Sequence, residues 1–355
     1  MFKKLVSKLK KNYQDHQLVW RLSLIGLAVA LLGYLVWIWW TIDQTVARTE
    51  LDAKTSNVPA VKFVESPLSG VKVSEELAKR PVIAIQVENS PDARPQSGLK
   101  DAGVIFETVV EGGITRFSVY YQENEFAKIG PVRSLRPYYI DWALGFDASI
   151  LNSGASVQAR DLMKKITVRD LNVVGAYYRA SDRYAPHNAY SSYDQVAKIM
   201  KSKGWYKESN FTPLSRKDPS PLETPKASTI SIDISSSLYN TSYKYDSQEN
   251  CYLRSMAGNP HKDRESGQQL CPDVLVVMKT PISIIDGVGH AGVTTIGKGT
   301  AFIFQDGNVQ KVTWSKSSRA SQIKFTDSNG KPVGLNPGQT WITVVNTDRP
   351  VTYKP

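Results

Sequence analysis

The chain has 355 residues, with 44 Lys and Arg against 33 Asp and Glu, for a formal net charge of +11. Residues 1–21 hold six basic residues and one acidic one, so +5 of that excess sits at the start and +6 is spread over everything else. So dispersed a bias suits anionic surfaces such as head groups or acidic wall polymers and argues against a groove that tracks nucleic-acid phosphates, so no nucleic-acid partner is expected.

Residues 22–42, LSLIGLAVALLGYLVWIWWTI, carry no charge. At about 1.5 Å per residue such a helix covers the roughly 30 Å of a hydrocarbon core. Lys3, Lys4, Lys8, Lys10, Lys11 and Arg21 precede it against Asp15 alone. Short basic flanks stay on the cytoplasmic side, which predicts an inside N-terminus and an outside location from residue 43 onward. Trp20 at one end and Trp37, Trp39 and Trp40 at the other suit the two membrane interfaces. A cleaved signal peptide is the rival reading, but the run is longer than usual and ends in bulky tryptophans without a small-x-small site. A buried globular helix would need a polar stripe that the run lacks. The expectation is a cytoplasmic basic tail (1–21), a single transmembrane helix (22–42) and folded domains outside the cell membrane.

Residues 43–79 mix charges with Pro67 and Gly70 and predict a stalk. Residues 81–87, PVIAIQV, read as a buried strand followed by a turn-rich loop, and 104–111 with 115–122 read as a hairpin about Gly112 and Gly113. Helical patterns follow at 138–145, 158–165 and 192–203, giving a mixed α/β first domain over 80–208. Four prolines within 213–225 predict a linker at 209–228. Beyond it TISIDIS, YKYD, DVLVVMKT, TAFIFQDG, VQKVTWS, QIKFTD and TWITVVN, with turn signals at QDGN and DSNG, predict a mainly antiparallel β domain over 229–355. The fold class expected is therefore α+β. Cys251 and Cys271 flank a polar stretch, and an oxidising compartment would let them pair as a disulfide, the alternative being two separate buried thiols.

The runs ARPQSGL (93–99), VEGGITRF (110–117), IGPVRSLRPYY (129–139) and APHNAY (185–190) resemble the DUF3048, or YerB-like, family of bacterial envelope proteins. GNPHKDRESGQQL (258–270), IGKGTAFIF (296–304) and LNPGQTWITVV (335–345) extend the resemblance through the second half. It implies a two-domain extracytoplasmic protein and brings no biochemical activity with it. This chain departs from the lipoprotein type, because its first cysteine is Cys251 and no lipid-bearing cysteine follows the apolar run. A retained helix is expected to replace the lipid.

Among the polar residues that these motifs gather, Glu107, Glu111 and His187 are the candidates for acid/base chemistry. Arg94, Gln96, Arg116, Arg133, Arg136, Asn188, His261 and Asp263 are the candidates for ligand binding. Arginine forks match carboxylate or phosphate oxygens bidentately, which fits wall peptides and anionic polymers. Glu107 and Glu111 on one strand face would stand about 13 Å apart, beyond the usual glycosidase spacing, so each would pair with another group such as Asp141 or His187. Alternatively, both glutamates neutralise the arginines in a buried network. His187 suits a general acid/base and equally a loop cap. No nucleophile elbow, cofactor motif or metal motif accompanies them, so no cofactor or metal is expected. The tyrosine doublets at 120–121, 138–139 and 177–178 suit a core better than sugar stacking. Two functions follow: an envelope protein that binds, and in a stronger version cleaves, peptidoglycan or an attached anionic polymer; or a non-catalytic scaffold that holds another envelope protein.

Overall fold

The computed structural model describes residues 2–55 and 62–355. The chain divides into two units, Met1–Val61 and Lys62–Pro355. In the first, α1 (Phe2–Asp15) precedes α2 (Gln17–Thr55), and α2 contains a stretch, Gln17–Thr45, long and apolar enough to cross a membrane and with none of it buried. The expected span of 22–42 lies inside that stretch.

The second unit runs β1 (Phe63–Glu65), β2 (Lys72–Ser74), α3 (Glu75–Ala78), β3 (Ile83–Glu88), β4 (Val104–Val109), β5 (Thr115–Tyr121), α4 (Pro137–Gly145), β6 (Ser149–Leu151), α5 (Val157–Met163), β7 (Tyr178–Arg179), β8 (Ala189–Tyr190) and α6 (Tyr193–Ser202). It continues with β9 (Thr229–Ile232), β10 (Thr241–Asp246), β11 (Cys251–Met256), β12 (Asn259–Pro260), β13 (Val274–Lys279), β14 (Ile282–Ile284), β15 (Ala291–Val293), β16 (Gly297–Gln305), β17 (Asn308–Lys316), β18 (Lys324–Thr326), β19 (Thr340–Val345) and β20 (Val351–Lys354). The three predicted helices and the predicted hairpin β4–β5 are all present, as is the α+β class.

The strands make a central nine-stranded sheet in the order β18-β17-β16-β13-β19-β4-β5-β3-β6 and a five-stranded antiparallel sheet, β12-β11-β10-β9-β20. Alternate residues of the central strands point into two different cores. Ile105, Phe117 and Val119 meet α6 and the five-stranded sheet, whereas Val104, Phe106 and Tyr120 meet α4. A sheet covered on both faces needs apolar side chains at both parities, which is why its strands read as unbroken apolar runs. Tyr120, Tyr121, Tyr138 and Tyr139 are all buried there.

Three differences from the sequence expectation matter. The expected stalk, 43–79, is divided: α2 carries on to Thr55, and from Lys62 the chain already belongs to the compact unit, where Leu68 is buried and Ser66 and Ser69 both donate to the Glu123 carboxylate. The proline-rich segment 209–228 is no free linker. Its backbone is strapped to the sheet through Lys217 N–H to Leu335 O, Leu222 N–H to Asp306 O and Ala227 N–H to Gly307 O, each at 3.0 Å. Finally, the division at 209–228 is one of sequence and not of packing. β19, from the second half, pairs in parallel with β4, from the first, in register Thr340–Val104 to Thr343–Glu107.

Candidate functional site

A surface-facing cluster forms where the ends of β3 and β4 meet the start of β5. Gly112 and Gly113, at φ 57° and 77°, turn the chain between β4 and β5 through a conformation that side chains other than glycine rarely adopt. The turn leaves Glu111 just beyond the strand and five residues from Arg116. Arg116 Nη2 donates to Glu111 Oε1 at 3.1 Å, and Arg136 Nη2 donates to Oε2 at 2.5 Å. Arg136 is held at the N-cap of α4, ahead of Pro137. Burial alone would raise the Glu111 carboxyl, but the two guanidinium groups outweigh it and hold the pKa below the usual carboxylate range.

The strap preceding α4 extends the cluster. Val132 bridges Val87, which brings Arg133 Nη2 to 2.9 Å from Glu88 Oε1, and Arg116 Nη1 donates to Ser134 O at 2.8 Å. His187 Nδ1 lies 3.0 Å from the same Glu88 oxygen, and Ser90 Oγ donates to it at 2.8 Å. Two hydrogen-bonded groups therefore stand side by side, His187–Glu88–Arg133 and Ser134–Arg116–Glu111–Arg136, joined through the peptide bond between Arg133 and Ser134. Four atoms in these two groups are buried and have no protein partner: Glu88 Oε2 and the Nε groups of Arg116, Arg133 and Arg136.

A second, interior network holds Glu107. Arg254 Nη2 donates to both of its oxygens, at 3.0 and 2.8 Å, and Trp341 Nε1 donates to Oε2 at 3.0 Å. Arg254 Nε donates to His261 Nδ1 at 3.0 Å, and His261 Nε2 is 2.8 Å from Gln96 Oε1. Because a guanidinium only donates, Nδ1 is the bare nitrogen and Nε2 carries the proton. Burial first, and then the charges of Arg254 and Arg94, keep this histidine well below the ordinary imidazole value and hence neutral. Gln96 Nε2 passes the network to Asn89 Oδ1 at 2.8 Å, Asn89 Nδ2 to Thr115 Oγ1 at 2.6 Å, and Thr115 Oγ1 back to Glu107 Oε1 at 3.3 Å. This is a closed ring of buried polar groups that joins the two halves of the unit.

The candidate residues thus separate into two sets. Glu111, Arg116, Arg133, Arg136 and His187 come together in the outer cluster. Glu107, Gln96 and His261 belong to the interior ring, with Arg94 beside it, donating to Asn89 Oδ1 at 3.2 Å and to Asn89 O at 2.9 Å. The expectation that Glu107 and Glu111 share one strand face is corrected: β4 ends at Val109, and Glu111 turns to Arg136 while Glu107 is fully buried against Arg254. Asp141 pairs with Arg319 rather than with either glutamate. Asp263 caps its own loop, accepting from Glu265 and Ser266 N–H, and accepts Leu99 N–H at 2.8 Å. Asn188 bonds Ala180 O and Arg179. Cys251 and Cys271 form the expected disulfide. Among the described residues no cluster of three or more His, Cys, Asp or Glu side chains suits a metal ion.

Sequence reasoning passed over Glu88, Asn89, Arg254 and Trp341. A signal existed for two of them. Glu88 is the charge that closes the apolar run of β3, and Arg254 is the one charged residue at an inward position of CYLRSM.

The fold and its two polar networks define an α+β protein whose two halves share one sheet, and comparison with known proteins gives it a family. The chain matches the N-terminal domain model of the protein family of unknown function DUF3048 over residues 68–206, and its C-terminal domain model over 230–342. It belongs to that family. It is 30% identical over 291 residues to YerB of Bacillus subtilis, which is named as a lipoprotein, covering 80% of this chain and 87% of that one. The crystal structure of the YerB protein from Bacillus subtilis superposes with a TM-score of 0.74 at 29% identity, covering 81% of this chain and 99% of that one.

Proposed function

We propose that the protein is anchored in the cell membrane by its N-terminal helix, with residues 62–355 outside, and that the Glu88–Arg133–Arg116–Glu111–Arg136 cluster with His187 recognises an anionic wall component. The ligand class is peptidoglycan carboxylates or the phosphates of an attached polymer. The basic flank at 1–21 and the apolar stretch Gln17–Thr45 support the topology, and the lipoprotein name of the YerB relative supports the envelope location.

The observation that carries the ligand reading is a cluster of three arginines and two glutamates whose Arg133 and Glu111 side chains are 25% and 29% exposed. The open guanidinium edge of Arg133 offers charged donors to an anion, at a site whose charge balance is already positive. His187 is oriented by Glu88 through Nδ1, and its Nε2 lies 3.9 Å from the exposed Asp92 carboxylate, beyond hydrogen-bond distance and within reach of a proton acceptor, which supports cleavage as the stronger form of the reading.

The test is retention of residues 62–355 on purified sacculi, with and without attached anionic polymers, followed by mass analysis of released material. Arg133→Ala should weaken retention about tenfold, the loss of one charged hydrogen bond, and lower the melting temperature by leaving the buried Glu88 without its guanidinium, so Arg133→Lys, which keeps a cation beside Glu88, serves as the folded control. Release of defined fragments that stops with His187→Ala would establish a hydrolase. Binding without release would establish recognition alone, and retention indifferent to Arg133→Ala would refute the assignment of the site.

A further inference from the structure

β14 and β15 form a small hairpin outside both large sheets, tied to the β4–β5 turn by Ala291 N–H to Val110 O at 2.6 Å and Gly112 N–H to Gly289 O at 3.3 Å. Ile284 is 67% exposed, Ile285 47% and Val288 76%. Elsewhere among the described residues of the compact unit, exposed large apolar side chains stand apart from one another in sequence. Exposed Val157, on α5, neighbours this tip, because Gln158 Nε2 donates to Asp286 Oδ2 at 2.9 Å.

The hairpin is a ridge and not the wall of a single cleft. Ile284 and Gly289 line one groove with Ser235 and Arg349, and Ile285 and Gly292 line a second with Ile296 and Arg319. The one acid of the tip is turned inward. Asp286 Oδ1 accepts the N–H groups of Val288 and His290 at 3.2 and 3.1 Å, and Oδ2 is 2.7 Å from His290 Nδ1. The elements around the ridge lean cationic: Arg160, Lys164 and Lys165 on and after α5, Lys279 ending β13 and Lys298 near the start of β16, whereas the nearby acids are already paired, Asp161 with Lys164, Asp141 with Arg319 and Glu111 with Arg116 and Arg136.

We propose that the β14–β15 hairpin is a lipid-contacting ridge, which seats Ile284, Ile285 and Val288 in the interface of an anionic bilayer with the flanking lysines and arginine at the head groups. The length of the chain favours lipid over a protein partner. Between residue 42 and Lys62 the helix runs to Thr55 at about 1.5 Å per residue, and the remaining seven steps add at most about 3.5 Å each. The chain length therefore lets Lys62, where the compact unit begins, lie no farther than about 45 Å from the membrane that the N-terminal helix is proposed to span, which keeps the unit at a high effective concentration of lipid. Three aliphatic side chains on a narrow tip fall well short of the roughly 800 Å² per partner of a stable protein contact, but they can sink into a fluid interface without matching any shape.

Residues 62–355 hold both cores of the protein, so they can be tested without the spanning helix. The unit is mixed with phosphatidylcholine vesicles, alone or containing phosphatidylglycerol, and floated. The expected result is co-flotation with the anionic vesicles, weakened by salt, and a fall of at least about tenfold in bound fraction for Ile284→Asp with Val288→Asp, at an unchanged melting temperature. Ile284→Trp should in addition shift its emission to the blue and be quenched by brominated lipid. A unit that floats with neither vesicle, or a double variant that floats as well as the parent, overturns the proposal. Neither outcome depends on retention by sacculi.

Discussion

Glu107 and Arg254 are both entirely shielded from solvent, and the guanidinium reaches both carboxylate oxygens while stacking 4.2 Å from the centre of the Trp341 ring. Two charges so placed gain little net stability as a pair, but removing one leaves the other desolvated and unpaired. Arg254→Met should therefore cost about 3–5 kcal/mol, measured by urea unfolding, and Arg254→Met combined with Glu107→Gln should recover much of that loss. A cost below about 1 kcal/mol for the single variant would show that the ring is not a structural lock. The same pair shows where sequence reading stops. Glu111 and Arg116 stand five residues apart, and their meeting was legible from a glycine turn between two apolar runs. Glu107 and Arg254 stand 147 residues apart, and no local pattern joins them. That distance is why Glu107 looked like a cleft residue: an acid on a strand signals a site only until its buried partner is known.

At the scale of elements, the hairpins and helices were legible because each is decided locally. The sheet turn Gln305–Asn308, with Asp306 and Gly307 both at positive φ, is the QDGN signal realised. The proline-rich segment misled, because prolines forbid helix and strand but not a strap bonded to neighbouring backbone. The segment 261–271 is a second strap. It carries His261 and Asp263 to their partners, and the Cys251–Cys271 disulfide ties its end to β11. Closing a loop with a sequence separation of 20 stabilises by about 3 kcal/mol in the chain-entropy model. Cys251→Ser with Cys271→Ser should lose about that much in urea unfolding. In whole cells the pair should resist thiol labelling without a reductant, as an outside location requires, whereas rapid labelling in intact cells would speak against that location.

At the scale of the whole compact unit, the decisive fact is the position of β19, between β13 and β4 and parallel to both. The first half of the unit supplies β4, β5, β3 and β6, and without β19 the edge of β4 would be bare. That edge is a poor one to leave open: Val104 to Thr108 are all fully buried, and Val104, Ile105 and Phe106 point to the two cores in turn. Long, apolar, unprotected edges pair with whatever is at hand, so an isolated first half should aggregate. The interior ring adds to this, because Glu107 on β4 would lose Arg254 and Trp341 together. Residues 62–208 and 229–355, expressed apart, should therefore each lack a cooperative thermal transition, whereas residues 62–355 should unfold in one step, and co-expression of the two pieces should restore a folded, soluble complex. Two family segments would then be one folding unit, in which the partner of each half is covalently supplied. A first half that melts cooperatively by itself would instead make the shared sheet a late docking event between two independent bodies, and the Glu107–Arg254 contact would be an interface pair in place of a core pair.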